Sequence, residues 1–495
     1  MGTLTFQLPA GLPPDLSREL ERACLIGGPD TMPYPTRQHL LPDRVLLQRP
    51  TDESGYVVAP WALQGGATLM CSSATLMERS APYHLLVELA RGKINQVRNQ
   101  LVDWESAGLK VAPELRTRIH QASLRFGRAV CSGNQAELLR ETQHALDEGH
   151  RASGDLVEAY IRQVMQIRHQ HQDKLETALA IRLASGFETP PFAEHITSTF
   201  NRVSVPISWH QIEAEEARYN WAATDRMLDW AERAELDVIA GPLIDFSSTQ
   251  LPAWLWVWER DVHSMATFMS RFVEAAVRRY RSRIRRWQLT AATNWASVLS
   301  LSEEEMLGLT FRLGEAARQI DPTLEIILGI SQPWGEYMTA SERTSPFIFA
   351  DNLIRSGLNL AAINLEIVMG VRGRGTYCRD SLELSRLLDL YALLGVPQHV
   401  TLGYPHTEVY DPEGDPELAV GFGHWAQGFT PQTQAAWARH FVSLALCKRY
   451  VQSVSWVHLS DSLPHLFPGC GLIDSQGKPL PALETLRQLR QDHLL

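Results

Sequence analysis

The chain has 495 residues, a formal net charge of −10 and no run of Lys and Arg. A chain of this length exceeds one ordinary core, so we expect about two or three domains. The acidic balance offers no basic surface that could follow a phosphate backbone, which excludes nucleic acid as an expected partner.

The cysteines and the N-terminus carry little functional information. The six cysteines are scattered without a Cys-x-x-Cys pair, which disfavours a zinc ribbon and suggests no disulfide framework. The first residues, MGTLTFQLPAGLPPDL, lack a basic start followed by an apolar segment, and no apolar stretch approaches the roughly 18 residues of a membrane span. We therefore expect a cytoplasmic protein without a membrane partner, with export by another route left open. The oligomeric state is not indicated.

Residues 1–80 are predicted to form a small β-rich module. Short β-prone pieces such as DRVLLQ and GYVVAPW alternate there with breaks rich in Pro and Gly. In residues 81–173, apolar residues recur at helical spacing, which predicts a helical bundle or linker with helices near 82–107, 112–131 and 133–171. Apolar stripes on helices are usually core, so we interpret this region as a packing scaffold.

Residues 174–495 are predicted to form a (β/α)8 barrel. Eight short apolar runs alternate with longer amphipathic segments, which indicates parallel strands joined by crossover helices and closed on themselves. The predicted strands are 177–183, 200–207, 236–244, 284–291, 324–330, 360–370, 397–405 and 451–460. The expected fold class is α/β, a TIM barrel preceded by a small β module and a helical region. Its active site should lie at the C-terminal ends of the strands.

Part of the barrel sequence resembles the retaining xylanases of glycoside hydrolase family ten. The stretch from FNRVSVPISW to TQLPAWL follows the order of residues in that family's second and third strand units, and the tail GLIDSQGKPLPALETL resembles its closing segment. The matching residues are Phe200, Asn201, Trp209, Tyr219, Trp221, Asp225, Gly241, Gln250, Pro252 and Trp254. The resemblance covers about residues 176–495 and implies a barrel that binds or hydrolyses a β-linked glycan.

The same resemblance implies where two catalytic carboxylates should stand, and this chain has none there. Aligned on Trp287, the family's acid/base Glu and the Asn before it fall at Ala292 and Ala291. Aligned on Thr401, the family's nucleophile falls at Leu402. Retaining glycosidases need two carboxyl groups about 5 Å apart across the scissile bond. We therefore expect that the family mechanism does not operate at these positions.

Three other carboxylates stand at or near predicted strand ends and are the candidate catalytic residues. Glu366 is on the sixth strand, Glu336 follows the fifth, and Asp245 ends the third. Because strands five and six are neighbours, Glu336 and Glu366 could act as acid and base on opposite sides of a water. The alternative for each is a structural ion pair with an arginine. The candidate arginines are Arg182, Arg285 and Arg286.

Aromatic residues are a second signal, since many of the 14 tryptophans fall at strand ends or in the loops that follow. Flat rings cover the C–H faces of sugars while neighbouring polar groups bind hydroxyls, although a single buried Trp is more often core. The predicted substrate-binding residues are Trp209, Trp254, Asn294, Trp334, Tyr404, Trp456, His458 and Asp461.

Histidines offer a weaker signal for metal binding. His458, Asp461 and His465 follow the eighth strand, and a His with an Asp three residues on is either an acid/base pair or a pair of metal ligands. On a strand and its loop this spacing fixes no geometry, so we expect these three residues to have a structural or sugar-binding role. His169 and His171 point away from each other on a helix. We expect no metal and no cofactor.

Two functional hypotheses remain. The first is a carbohydrate-active barrel that acts on or binds a β-linked oligosaccharide or polysaccharide through carboxylates outside the family set. The second is a non-catalytic carbohydrate-binding or scaffold protein that has lost the acid/base and nucleophile glutamates. An open cleft with the oxygens of Glu366 about 5–10 Å from those of Glu336 or Asp245 would favour hydrolysis. A Glu366 that is sealed against an arginine would favour binding.

Overall fold

The fold is taken from a computed structural model. It describes residues 2–28, 30–185, 187, 190–295, 298–340 and 343–495. Within these residues, no helix is both long enough and apolar enough to cross a membrane.

Residues 2–84 form two four-stranded sheets and a short helix, α1 (Pro14–Glu19). The strands are β1 (Gly2–Gln7), β2 (Cys24–Gly27), β3 (Met32–Pro33), β4 (Arg37–Leu40), β5 (Arg44–Arg49), β6 (Tyr56–Ala62), β7 (Thr68–Ser72) and β8 (Tyr83–His84). One sheet has the order β4-β5-β1-β8 and the other β3-β2-β6-β7. Alternate residues of β1 and β5 are buried, as the two-residue period of a strand with one face on a core requires.

Three long helices follow, α2 (Leu85–Ser106), α3 (Pro113–Cys131) and α4 (Gln135–His171). The Asn134 side chain caps α4 by accepting hydrogen bonds from two backbone N–H groups of its first turn. Each helix buries an apolar stripe against its neighbours, and α4 also contacts the barrel. Helical periodicity in the sequence therefore located these elements to within three residues.

The barrel consists of eight parallel strand positions. They are β9 (Ala178–Arg182), β10 (Arg202–Val205), β11 (Asp237–Ala240) with β12 (Ile244–Asp245), β13 (Arg286–Ala291), β14 (Glu325–Ser331), β15 (Ala362–Val368), β17 (Gln398–Gly403) and β19 (Val451–Trp456). Pairing between β11 and β13 closes the sheet, and the third position is split into β11 and β12. The short strands β16 (Gly370–Arg372) and β18 (Ala419–Phe422) pair outside the barrel.

Helices surround this sheet in the order that a barrel requires. They are α5 (Ala193–Thr199), α6 (Trp209–Ile212), α7 (Ala222–Arg233), α8 (Val262–Tyr280), α9 (Glu303–Ile320), α10 (Pro346–Arg355), α11 (Ser381–Ala392), α12 (Pro431–Cys447) and α13 (Pro481–His493). The predicted fold class, a TIM barrel preceded by a small β module and a helical region, is confirmed.

The β-rich module packs on one side of the barrel's C-terminal rim. The amide N–H of Thr36 donates to the carbonyl of Thr339, and that of Met70 donates to the carbonyl of Cys378. Thr68 exchanges two backbone hydrogen bonds with His424. The three barrel residues lie in loops that follow strands five, six and seven. The module therefore occupies the rim beside these three strands.

The N-terminal end of the barrel is closed by charged residues. Arg202 and Arg286 both pair with Asp237, at 2.6 and 2.9 Å, and Arg286 also pairs with Glu325 at 2.9 Å. These pairs lie at the strand beginnings, opposite the rim where function is expected. Arg286 therefore forms its ion pairs at the closed end of the barrel and does not reach Glu366.

His399 on β17, near the same end, predicts a pH dependence of stability. Burial, with added repulsion from Arg202 and Arg286, lowers the pKa of His399 from 6.5 to about 3. Below pH 6.5 the unfolded chain binds a proton that the folded chain excludes, so this residue lowers stability as the pH falls. In the His399→Gln variant, the loss of stability between pH 6 and 4 should be shallower by up to about 1.4 kcal/mol per pH unit.

Urea unfolding at several pH values measures this difference. His263→Gln, a change at an exposed position, serves as the control and should follow the pH profile of the parent protein. Parallel profiles for the parent and His399→Gln would contradict the prediction.

Candidate functional site

A cavity of about 380 Å³ opens at the C-terminal ends of the barrel strands. This volume falls in the range of roughly 300–1,000 Å³ that is typical of small-molecule sites. Six polar side chains from five strands form part of its lining, which we call the polar wall, and the apolar Ile239 and Ile327 line the cavity as well. The residues of the polar wall are Ser204, Gln288, Asn364, His399, Thr401 and Ser455. Such a wall offers hydrogen-bond donors and acceptors to a ligand rich in hydroxyl groups.

Two of the three predicted catalytic carboxylates, Glu366 and Asp245, line this cavity and share one arginine. Glu366 makes a bidentate pair with Arg374, with oxygens 2.6 Å from Nε and 2.9 Å from Nη2. Nη1 of the same arginine lies 3.1 Å from Oδ1 of Asp245. The Arg374 side chain is only 2% exposed, against 11% for Glu366 and 9% for Asp245. The three residues form a buried ion cluster on the cavity wall.

Further hydrogen bonds reach both carboxylates of this cluster. Ser331 donates to Glu366 at 2.9 Å, and the hydroxyl and amide of Ser247 donate to Asp245 at 2.7 and 3.0 Å. Burial alone would raise the pKa of Asp245, but Arg374, Arg182 and Ser247 outweigh it and lower that pKa. Asp245 is therefore ionised at neutral pH and has no proton to give to a leaving group.

The third predicted catalytic residue, Glu336, lies away from this cluster. It is not among the described residues that line the cavity. Its carboxylate pairs with Arg379 and accepts the amide N–H of Tyr377. Gly335, the residue before it, lies against Met32 of the β module. Glu336 thus belongs to the contact between the module and the barrel, and the structure does not bring it opposite Glu366.

At the positions where the sequence resemblance implies the family's catalytic residues, the chain has Ala291, Ala292 and Leu402. Ala291 and Ala292 are buried at the end of β13. Thr401 lines the cavity and donates to the Asn364 side chain at 2.9 Å, whereas Leu402, its neighbour in the strand, is fully buried. Successive side chains of a strand point to opposite faces. A side chain at residue 402 therefore points away from the cavity.

Trp209 and Trp456 line part of the cavity but are mostly covered by protein. The Trp209 indole N–H donates to Glu213, and the ring packs on Phe272. The Trp456 indole N–H donates to the carbonyl of Cys470. Both residues line the cavity while their indole N–H groups are used internally, and their predicted contact with a sugar stays a prediction.

Four other predicted binding residues do not appear among the described cavity-lining residues. Trp254 donates to the carbonyl of Glu213, and Trp334 lies beneath the Arg379 guanidinium, 4.5 Å from its carbon. Asn294 bridges to the backbone of Ser331. Tyr404 is fully buried and stacks on Trp437. Each of them has a packing or hydrogen-bonding part, and their predicted binding role stays a prediction.

His458 and Asp461 belong to a compact group of imidazoles and carboxylates in the loops after β17 and β19. Asp461 accepts from His458 at 2.8 Å and from His406 at 2.8 Å. His465 stacks on His458 with ring centres 4.1 Å apart, and its Nε2 lies 3.0 Å from Asp411. We refer to these five residues as the His–Asp cluster. His458 and His465 also line the cavity.

The pKa values of the two stacked imidazoles of the His–Asp cluster are shifted in opposite directions. Burial and the neighbouring His465 lower the pKa of His458 to about 4, despite its bond to Asp461. Burial also opposes the charge of His465, but hydrogen bonds to Asp411 and to the Leu463 carbonyl raise its pKa. At neutral pH the His458 imidazole is therefore neutral.

The sequence analysis did not identify Arg374, the residue that pairs with both Glu366 and Asp245. It lies eight residues after Glu366, between two glycines in VRGRGTY, in the loop after the sixth strand. An arginine between two glycines, in a loop at the C-terminal end of a barrel, could have been recognised as a candidate site residue. The predicted partners were different: Arg182 lines the cavity and only influences Asp245 at longer range, while Arg285 pairs with Glu325.

The fold and the cavity define a glycoside-hydrolase-like (β/α)8 barrel. The family model of glycosyl hydrolase family 10 matches residues 168–293, which contain the first four strand positions, and the chain resembles that family over this part. No curated protein matches the chain.

Solved structures of similar architecture include xylanases from two bacteria. Xylanase 10B from Thermotoga maritima is 16% identical, covers 65% of this chain and 97% of its own, and has a TM-score of 0.49. Xylanase10C from Cellvibrio japonicus is 12% identical over 65% of this chain and 71% of its own, also with a TM-score of 0.49.

Proposed function

We propose that this barrel binds a short β-linked oligosaccharide, or the end of a polysaccharide chain, without cleaving it by the double displacement of retaining glycosidases. The observation that carries the proposal is the buried ion cluster, in which Arg374 engages both Glu366 and Asp245. A carboxylate that already forms a bidentate pair with a buried guanidinium is a poor nucleophile and a poor proton donor.

The polar wall of the cavity supports a carbohydrate ligand. Hydroxyl, amide and imidazole groups from five strands line it, and Trp209 and Trp456 add apolar surface. This combination matches the alternating C–H and hydroxyl surfaces of a sugar ring. The charge of the lining is mixed, so it does not select a strongly anionic polymer.

The position of the β module supports a short ligand. The module covers the rim beside strands five to seven, and none of the described cavity-lining residues belongs to the module. A ligand that enters from the side of the rim that the module leaves uncovered therefore meets the module on the opposite side. We expect affinity to rise with chain length only over the first two or three sugar units.

Isothermal titration with β-linked oligosaccharides of about two to six units tests this function. We expect saturable binding that weakens by roughly ten-fold or more in Arg182→Met, because a charged hydrogen-bond donor of the cavity is removed. Arg355→Met, which removes an exposed arginine of α10, is the matched control and should bind as the parent does. Absence of binding across the panel would exclude the proposal.

A further inference from the structure

Within the His–Asp cluster, three side chains of one loop converge on a single point of the cavity wall. Nε2 of His458 lies 2.8 Å and Nε2 of His465 lies 3.8 Å from the same oxygen, Oδ1 of Asp461. The donor atoms that the three residues offer all lie within 4.8 Å of one another. We propose that His458, Asp461 and His465 bind one divalent transition-metal ion of the Zn²⁺ type.

The donor set and its spacing suit such an ion. Two imidazole nitrogens and one carboxylate oxygen are typical ligands of zinc, which prefers four ligands in a tetrahedron at about 2.0–2.2 Å. Ligand atoms of such a tetrahedron are roughly 3.4 Å apart. The two separations of 2.8 and 3.8 Å fall on either side of this value, so small side-chain movements complete the geometry.

Surrounding groups already orient two of the ligands. The second ring nitrogen of His465 donates to the Leu463 carbonyl at 2.8 Å, which holds the ring with Nε2 between Asp461 and Asp411, 3.8 and 3.0 Å away. Asp461 accepts the Gly471 amide at 2.8 Å and is held on its other oxygen by His406. Partners of this kind fix the orientation of ligands in metal sites. A Cβ at Gly471 would lie 2.5 Å from Oδ1 of Asp461, so a residue without a side chain permits this arrangement.

The location gives the ion an entry path and a possible role. His458 and His465 both line the cavity, so an ion bound between them faces the space in which the saccharide is proposed to bind. Three protein ligands leave a coordination position open to a water or to a ligand oxygen. The metal site itself does not depend on the proposed saccharide binding, because its ligands and its test are separate.

A purely hydrogen-bonded network is the competing account of the same residues. Asp411 lies 3.0 Å from Nε2 of His465 and accepts a hydrogen bond from this nitrogen when it is protonated. In this account the cluster stabilises the two loops and binds no ion. Metal titration distinguishes the two accounts, because only ligands that converge on one point bind an ion tightly and with fixed stoichiometry.

The experiment uses the full chain, stripped with EDTA and dialysed, and titrates it with ZnCl₂ in a calorimeter and with CoCl₂ in a visible spectrophotometer. We expect one ion per chain, a Kd of about 1 µM or tighter, and cobalt absorption bands of a tetrahedral site. His465→Gln and His458→Gln should each weaken zinc binding by about 100-fold or more and abolish the bands.

The controls separate this site from the other close histidine pair, His169 and His493, whose ring nitrogens are 2.9 Å apart. His169→Gln should leave stoichiometry and affinity unchanged. Failure of the parent protein to bind zinc or cobalt would overturn the proposal without any variant. Binding that survives both cluster variants but is lost in His169→Gln would overturn it as well. Saccharide titrations of the stripped protein report separately on the proposed function.

Discussion

Replacing Arg374 with Met is expected to lower the free energy of unfolding by about 3–5 kcal/mol. The substitution keeps much of the side-chain volume but removes the cation that Glu366 and Asp245 share. Two buried carboxylates then lose the cation that they share, and the loss of one partner from a buried ion pair is much more costly than the net value of the pair. Urea denaturation followed by tryptophan fluorescence measures the change.

The matched control for this substitution is Arg355→Met. Arg355 pairs with Asp351 across one helical turn, and its side chain is 77% exposed. Exposed pairs contribute roughly 0–1 kcal/mol, so this variant should unfold close to the parent. Equal, small effects of the two substitutions would show that Glu366 and Asp245 do not depend on Arg374. The carboxylates would then be available for chemistry.

Replacing Asp380 with Ala is the second substitution with a large expected effect, again about 3–5 kcal/mol. Asp380 caps α11 of the barrel by accepting the Glu383 amide. Its other oxygen pairs with buried Lys93 of α2 and lies 3.1 Å from His150 of α4. One carboxylate thus joins the helical region to the barrel, and its removal leaves a buried ammonium without a partner.

Asp155→Ala is the control for this substitution, because Asp155 pairs with Arg118 between α3 and α4 where both side chains are largely exposed. It should change the unfolding free energy by less than about 1 kcal/mol. A similarly small effect of Asp380→Ala would contradict the account of the junction. A fall in stability of the helical region alone would also contradict it, since the carboxylate joins two parts of the chain.

The same junction contains an arrangement that resembles a catalytic triad. Cys71 lies 3.4 Å from His150, which in turn contacts Asp380. Burial, however, raises the pKa of the Cys71 thiol well above its usual range, and both groups are enclosed between the module, the helices and the barrel. A thiol without a thiolate form and without access is a packing group. The arrangement of Cys71, His150 and Asp380 therefore contributes to the stability of the fold.

The sequence predicted the architecture well where periodicity is strong. The eight predicted barrel strands each overlap an observed strand, because fully buried parallel strands are short, continuous apolar runs. The exception in detail is the third position. Residues 236–244 were predicted as one strand, but the structure has β11 and β12 separated by Gly241 and Pro242. Proline lacks the N–H that a strand uses for pairing.

The site was less predictable because it depends on pairings between distant segments. The sequence placed Asp245 and Glu366 at strand ends, and both line the cavity, but nothing in their spacing identified Arg374 as their shared partner. Tryptophans at strand ends were interpreted as a sugar-binding surface, yet Trp254 and Trp334 use their surfaces on protein. An aromatic ring can pack in the core or against a ligand, and only the three-dimensional contacts distinguish these two roles.

The most direct test of the central claim is the release of new reducing ends from β-linked oligosaccharides at protein concentrations that also give saturable binding. The account predicts binding with no release above the protein-free blank, for the parent protein and for Glu366→Gln and Asp245→Asn alike. Steady release by the parent that either substitution abolishes would contradict it, since a carboxylate that Arg374 holds would then be performing the chemistry.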